Sequence, residues 1–161
     1  MVDRQDTLGL FGDKLLEEAV VKEFAANLRG ELLRPEDEGY DTARAVFNGM
    51  IDRHPALISR CAGVADVIRG VDFARTHDLP LSVRGGGHGV AGNAVCDGGV
   101  MLELSPMKGM RVDPVRQRAQ AQAGLTLGEF DLETQQFGLA TTLGVVSMTG
   151  IAGLTLGGGL G

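Results

Sequence analysis

"SVRGGGHGVAGN" (residues 82–93) places five glycines around one histidine. Glycine weakens any helix or strand it occupies. A run this dense therefore serves close approach, tight turning, or nothing. The residues before it supply the context. "PALISRCAG" reads as a short buried strand, and "VADVIRGVDFARTHD" as an amphipathic helix with Val64, Val67, Ile68, Val71 and Ala74 on one face. His77 falls at its C-terminal end, where an imidazolium suits the helix dipole. "LPLSVR" is a second strand, so a β-α-β unit with a small parallel sheet and a right-handed crossover leads into the glycines.

Gly87 to Gly92 fits G-x-G-x-x-G, the dinucleotide fingerprint, which should open a helix. "NAVCDGGVMLEL" follows instead, too short for a helix and without its period, so a Rossmann nicotinamide site is rejected. No GK[ST] follows any glycine run, which removes a P-loop. What survives is a row of backbone N–H groups without side chains in the way, a group that can cradle phosphate.

Farther along, "GGVMLEL" is strand-like and "GMRVDPVRQRAQAQAG" is a hairpin turning at Asp113-Pro114. Thr126 and Glu129 match a capping box. They open a helix with Leu127, Phe130, Thr134 and Phe137 on one face, ended by Gly138. "GVVSMTGIAGLTLGGGLG" (residues 144–161) reads as a second glycine-rich loop. Upstream, Asp13 is a candidate cap for a packing helix running to Arg29, with Leu16, Val20 and Phe24 in one stripe and Gly30 as its stop. "RPEDEGYDTARAV" is a polar linker into a short helix near Ala43 to Phe47. The expected division is a helical extension over residues 1–38 and one domain over residues 39–161.

The 161 residues suffice for one domain with a sizeable core. Of the 25 glycines, 18 lie from Gly85 onward. A net charge of −6 argues against non-specific nucleic-acid binding, which needs a basic face. No stretch has the length of a membrane span, and the N-terminus lacks the basic and apolar regions of a secretory signal. Cys61 and Cys96 form no CxxC and are expected as free thiols in a reducing compartment, the cytoplasm. His54, His77 and His88 show no metal-ligand spacing, so no metal is expected. A glycine run with no element after it suggests a piece of a larger protein.

Two glycine-rich loops separated by a small sheet and a helix suit one extended ligand, with the length of a dinucleotide. The segment from His54 to Asp113, followed by "GVVSMTGIAGLTLGGGLG", resembles the FAD-linked oxidases of the vanillyl-alcohol oxidase and para-cresol methylhydroxylase (PCMH) type, closest to bacterial berberine-bridge-enzyme-like members. The resemblance covers about residues 40 to 161. It implies an α+β PCMH-type FAD-binding domain, incomplete at its C-terminus. A small parallel β-α-β subdomain would be followed by a mixed or antiparallel one.

The resemblance further implies that the first loop wraps the FAD pyrophosphate with Gly85, Gly86 and Gly87, beside Gly89, and that His88 bonds covalently to the flavin 8α-methyl. Neutral imidazole is a competent nucleophile for such a link. Arg84 would sit beside the phosphates or hold the loop. The second loop would pass the flavin through Val145, Val146, Ser147, Thr149, Gly150, Gly153 and Leu154. Bicovalent members carry a cysteine in G-x-C-x-x-x-G. Set on Gly144 to Gly150, that motif places Val146 at the cysteine, which implies a single tether. Thr149 matches a position that in plant members influences oxygen access.

The implied function is oxidation of an alcohol, sugar or secondary metabolite, with oxygen as acceptor. No residue here is a persuasive general base, and Tyr40, the only tyrosine, lies far upstream. The substrate groups and the C-terminal remainder would lie outside this chain. The alternatives are a dinucleotide-binding module without redox activity and a truncated interaction piece. Neither a membrane nor a nucleic acid is expected as partner.

Overall fold

The structure, a computed structural model, describes residues 7–11 and 14–159. Strands β1 (Thr7–Phe11) and β2 (Lys14–Glu17) form an antiparallel pair, and helix α1 (Glu18–Asn27) follows directly. The expected helix is thus shorter at its start, and Leu16 belongs to β2. Asp13, the expected cap, lies outside the described residues. Val21 and Phe24 of α1 are buried.

Strand β3 (Glu31–Leu33) and helix α2 (Tyr40–Arg44) precede β4 (Leu57–Arg60), α3 (Val64–Thr76) and β5 (Leu81–Arg84). Strand β6 (Val100–Glu103) completes a four-stranded sheet of order β3-β4-β6-β5. β4 and β5 both run parallel to β6, whereas β3 pairs antiparallel with β4. The β-α-β unit is present, but β6 lies between its two strands. β6 is buried along its whole length, as expected of a parallel strand covered on both faces. α1 and β3 fall within the segment set apart by sequence at residue 38, yet Val21 and Phe24 join the core and β3 extends the sheet.

Alternate side chains of the central strands feed two cores. Leu57, Val100 and Leu102 meet α1 and α3, where Phe24 stacks on Phe73 at 4.1 Å between ring centroids. Ile58 and Met101 meet Leu33, Tyr40 and Val95 on the other face. The buried face of α3 overlaps the expected one only in part, with Val67 and Ala74 packed on the core. Asp66, Gly70, Phe73 and Ala74 turn inward, while Val64, Ile68 and Val71 are exposed. Gly70 explains the rotation, because a Cβ there would strike the Leu102 side chain. Asp66 is tolerated inside because its carboxylate accepts backbone N–H bonds from Arg29, Gly30 and Ala62.

The expected hairpin is β7 (Met110–Asp113) with β8 (Arg118–Ala121). Helix α4 (Leu127–Gln135) opens on the expected capping box, with both reciprocal bonds of Thr126 and Glu129 formed. Leu127, Phe130 and Thr134 are buried, but Phe137 lies beyond the helix and is exposed. The second glycine-rich stretch is only partly loop, because Ile151–Gly157 forms helix α5. Gly153 and Leu154 therefore sit on a helix. Among the described residues no helix is long and apolar enough to cross a membrane, and no cluster of His, Cys, Asp and Glu could hold a metal.

Candidate cofactor site

Parallel pairing places Arg60, Glu103 and Arg84 side by side at the carboxyl ends of β4, β6 and β5. Open α/β sheets bind ligands at this edge. Glu103 is 1% exposed. It accepts from Arg84 Nη1 at 3.1 Å and from the Ser105 amide at 2.9 Å, and Arg60 Nε lies 3.6 Å away. The guanidinium of Arg84 also donates through Nε to the Ala45 carbonyl at 3.1 Å. Its resolved bonds are thus to protein, and they fix the chain where the glycine loop begins.

The loop then runs over Arg84. Gly87 has φ +69°, a left-handed conformation natural to glycine, and a Cβ there would stand 3.2 Å from Arg84 Nε. Gly86 presses its backbone on Gly150 of the second loop, so that a Cβ on either residue would strike the backbone of the other. The sequence suggested two loops serving one ligand, and the fold does bring them into contact.

Helix α4 anchors the second loop. The amides of Leu127 and Gly128, in its first turn, donate to the carbonyls of Thr149 and Ser147, both at 2.9 Å. Ile151 N returns to Leu125 O, flanking a bridge between Thr126 and Gly150. The helix thereby satisfies its unpaired N–H groups and fixes the carbonyl side of the loop. The side chains of Val145, Val146, Ser147 and Met148 are left exposed. Thr149 is half-buried and Gly150 buried.

Among the described residues, the backbone N–H groups of Gly85, Gly86, Gly87, His88 and Gly89 donate to no protein acceptor, and the same holds for Ser147, Met148 and Gly150. Consecutive unsatisfied amides on a half-open loop make an anion-binding surface. At Gly89 nothing lies within 4 Å of a Cβ position, so open space borders the amide row.

His88 is half-buried, with its imidazole stacked on Phe47 at 4.4 Å between centroids and 15° between planes. The sequence reading missed Phe47 and its neighbours. Phe47 N donates to Gly87 O at 3.0 Å, and Asn48 Nδ2 donates to Val90 O at 2.9 Å. With the Arg84–Ala45 bond, residues 45–48 are stitched to residues 84–90 at three points. Other chemistry-bearing groups lie apart. Tyr40 is buried and donates to the Pro55 carbonyl at 2.6 Å. Burial pushes the Cys61 thiol up to about 11.

A largely parallel sheet covered on both faces, with two touching glycine loops at its carboxyl edge, defines a module for a phosphate-bearing nucleotide cofactor. The family described as FAD binding domain matches residues 55–161, more than half of the chain, and the chain belongs to that family. Its cofactor is FAD. The (R)-6-hydroxynicotine oxidase of Paenarthrobacter nicotinovorans is 36% identical over 135 residues, 84% of this chain and 30% of the relative. The crystal structure of 6-hydroxy-D-nicotine oxidase from Arthrobacter nicotinovorans superposes with a TM-score of 0.77 at 35% identity, over 79% of this chain and 28% of that one. Glucooligosaccharide oxidase from Acremonium strictum, described with a 6-S-cysteinyl, 8α-N1-histidyl FAD, gives 0.78 at 32% identity, over 87% of this chain and 30% of that one. The chain thus spans about three tenths of the length of these relatives. They bear out the PCMH-type fold and the resemblance to FAD-linked oxidoreductases.

Proposed function

We propose that this chain is the FAD-binding portion of an FAD-dependent oxidoreductase whose flavin is tethered through His88. The row of unpartnered amides from Gly85 to Gly89, with an accessible imidazole inside it, carries this reading. The amides fit a pyrophosphate in number and sign of dipole. The open space at Gly89 fits a group approaching the backbone closely. The second loop, from Val145 to Gly150, with Gly153 and Leu154 on the helix behind it, would flank the ring. Arg84 would hold the first loop against Glu103.

When bound, FAD supplies the hydride-accepting chemistry, and the protein orients the reacting partners. Forming the tether would exchange one 8α C–H and the imidazole N–H for an N–C bond. The two electrons and two protons released would leave on dioxygen as hydrogen peroxide. Val146 has no sulfur, so His88 would be the sole tether, unlike the two links named for glucooligosaccharide oxidase.

The substrate would be a small alcohol, sugar or secondary metabolite, a range supported by the named oxidases, with oxygen as acceptor. Its base would come from outside these residues, since the only tyrosine is buried and bonded to Pro55. Cys61 and Cys96 are not joined in a disulfide, which supports a reducing compartment, the cytoplasm.

Acid precipitation of the protein produced at the length of its relatives tests the tether. Yellow colour should stay with the pellet in the wild type and move to the supernatant in His88→Ala. Colour lost from the wild-type pellet overturns the covalent reading. Protein without any flavin overturns the FAD-dependent one.

A further inference from the structure

We infer that Phe47 is a positioning residue, holding the His88 imidazole at the angle from which it meets the flavin. The inference rests on the proposed tether. Its ground is the three-point attachment of residues 45–48 to the glycine loop. Glycine flanks give His88 backbone freedom, and an unrestrained imidazole would sample many orientations. The loop counters this with contacts from a segment some 40 residues upstream. Arg84 Nε holds Ala45 O, Phe47 N holds Gly87 O directly before the histidine, and Asn48 Nδ2 holds Val90 O two residues after it.

The Phe47 ring completes the arrangement by lying nearly parallel to the imidazole. Among the described residues it is 65% exposed, and the imidazole is its ring partner. An exposed aromatic whose backbone is bonded beside the histidine, and whose ring covers one imidazole face, leaves the other face and the ring edge for the ligand. Holding a reacting group in place accelerates bond formation by removing orientations that cannot react.

The experiment uses protein produced at the length of its relatives and reconstituted with FAD. It follows pellet-bound flavin over time in wild type, Phe47→Ala, Phe47→Tyr and His88→Ala. Phe47→Ala should slow covalent incorporation about three- to tenfold, the range of a stacked aromatic pair, with total FAD bound and thermal midpoint little changed. Phe47→Tyr should restore the wild-type rate. In the apo protein, the carbon-bound imidazole protons of His88 should lose their upfield ring-current shift in Phe47→Ala and keep it in Phe47→Tyr. Wild type that holds no flavin in the pellet overturns the tether and this inference together. Wild type that does hold it, with Phe47→Ala incorporating at the same rate, overturns the positioning role alone. A slow Phe47→Tyr matching Phe47→Ala does the same.

Discussion

Gly86 and Gly89 stand three positions apart in one loop, yet the fold uses them differently. A Cβ on Gly86 would enter the backbone of Gly150, which cannot yield as a side-chain tip can. A Cβ on Gly89 would meet open space, and the backbone there is not left-handed. Gly86→Ala should therefore destabilise by about 1–3 kcal/mol, the range for overpacking. Gly89→Ala should stay within about 0.5 kcal/mol of wild type while weakening FAD retention. Urea unfolding with a flavin-binding titration separates the two. Equal losses of stability would mean that the loops do not touch at Gly86. Composition alone shows a glycine-rich loop. It cannot show which glycines face protein and which face a ligand, since that depends on a second segment over sixty residues away.

At the scale of elements, the signals that survived are local ones. The capping box at Thr126 and Glu129 and the hairpin turn at Asp113-Pro114 need only neighbouring residues, and both formed as read. Readings that needed a distant partner fared worse. The apolar stripe Val64, Val67, Ile68, Val71 and Ala74 pointed to one face of α3, but only Val67 and Ala74 pack on the core, and the close contact of Gly70 with Leu102 leaves Val64, Ile68 and Val71 exposed. Glycine content hid α5, because glycine is a poor helix former and the bonds that anchor the residues leading into it come from the start of α4. Phe47 was illegible because its partner lies in another loop.

Asp66 is also an element-scale device, tying the end of α1 to the start of α3. Burial pushes its carboxyl upward, but the backbone N–H groups of Arg29, Ala62 and Gly30, with Arg69, outweigh that and hold it below the usual range. A lowered folded pKa stabilises above the unfolded value of about 3.9, and the contribution is lost as pH falls through the folded value. Asp66→Ala should cost about 3 kcal/mol at neutral pH, because buried amides lose their acceptor. The carboxylate's charge-dependent share should be fully present above the unfolded value of about 3.9 and fade as pH falls below it through the lowered folded value. Urea midpoints of both proteins against pH check this, and a gap independent of pH would deny the carboxylate its role. Thr126→Ala, removing the cap that also fixes the second loop, should cost about 1 kcal/mol, read from the thermal midpoint.

At the scale of the whole molecule, the apolar surface around the loops decides how well this chain holds its cofactor. Val90, Val145 and Met148 are each more than half exposed, and Val146 is 46% exposed, all on the two loops. Singly exposed apolar residues are ordinary, but a group gathered on one edge marks a surface that something covers. Binding sites for small molecules usually enclose about 70–90% of the ligand. The described residues supply an amide row and one apolar wall, and the relatives are about three times as long. The chain by itself should therefore bind FAD at least about tenfold more weakly than protein produced at the relatives' length, a loss of roughly 1.4 kcal/mol or more. Flavin-fluorescence titration of both, using His88→Ala so that only reversible binding is read, makes the comparison. Equal affinities would place the whole cofactor site within these residues, and the exposed apolar edge would then need another explanation.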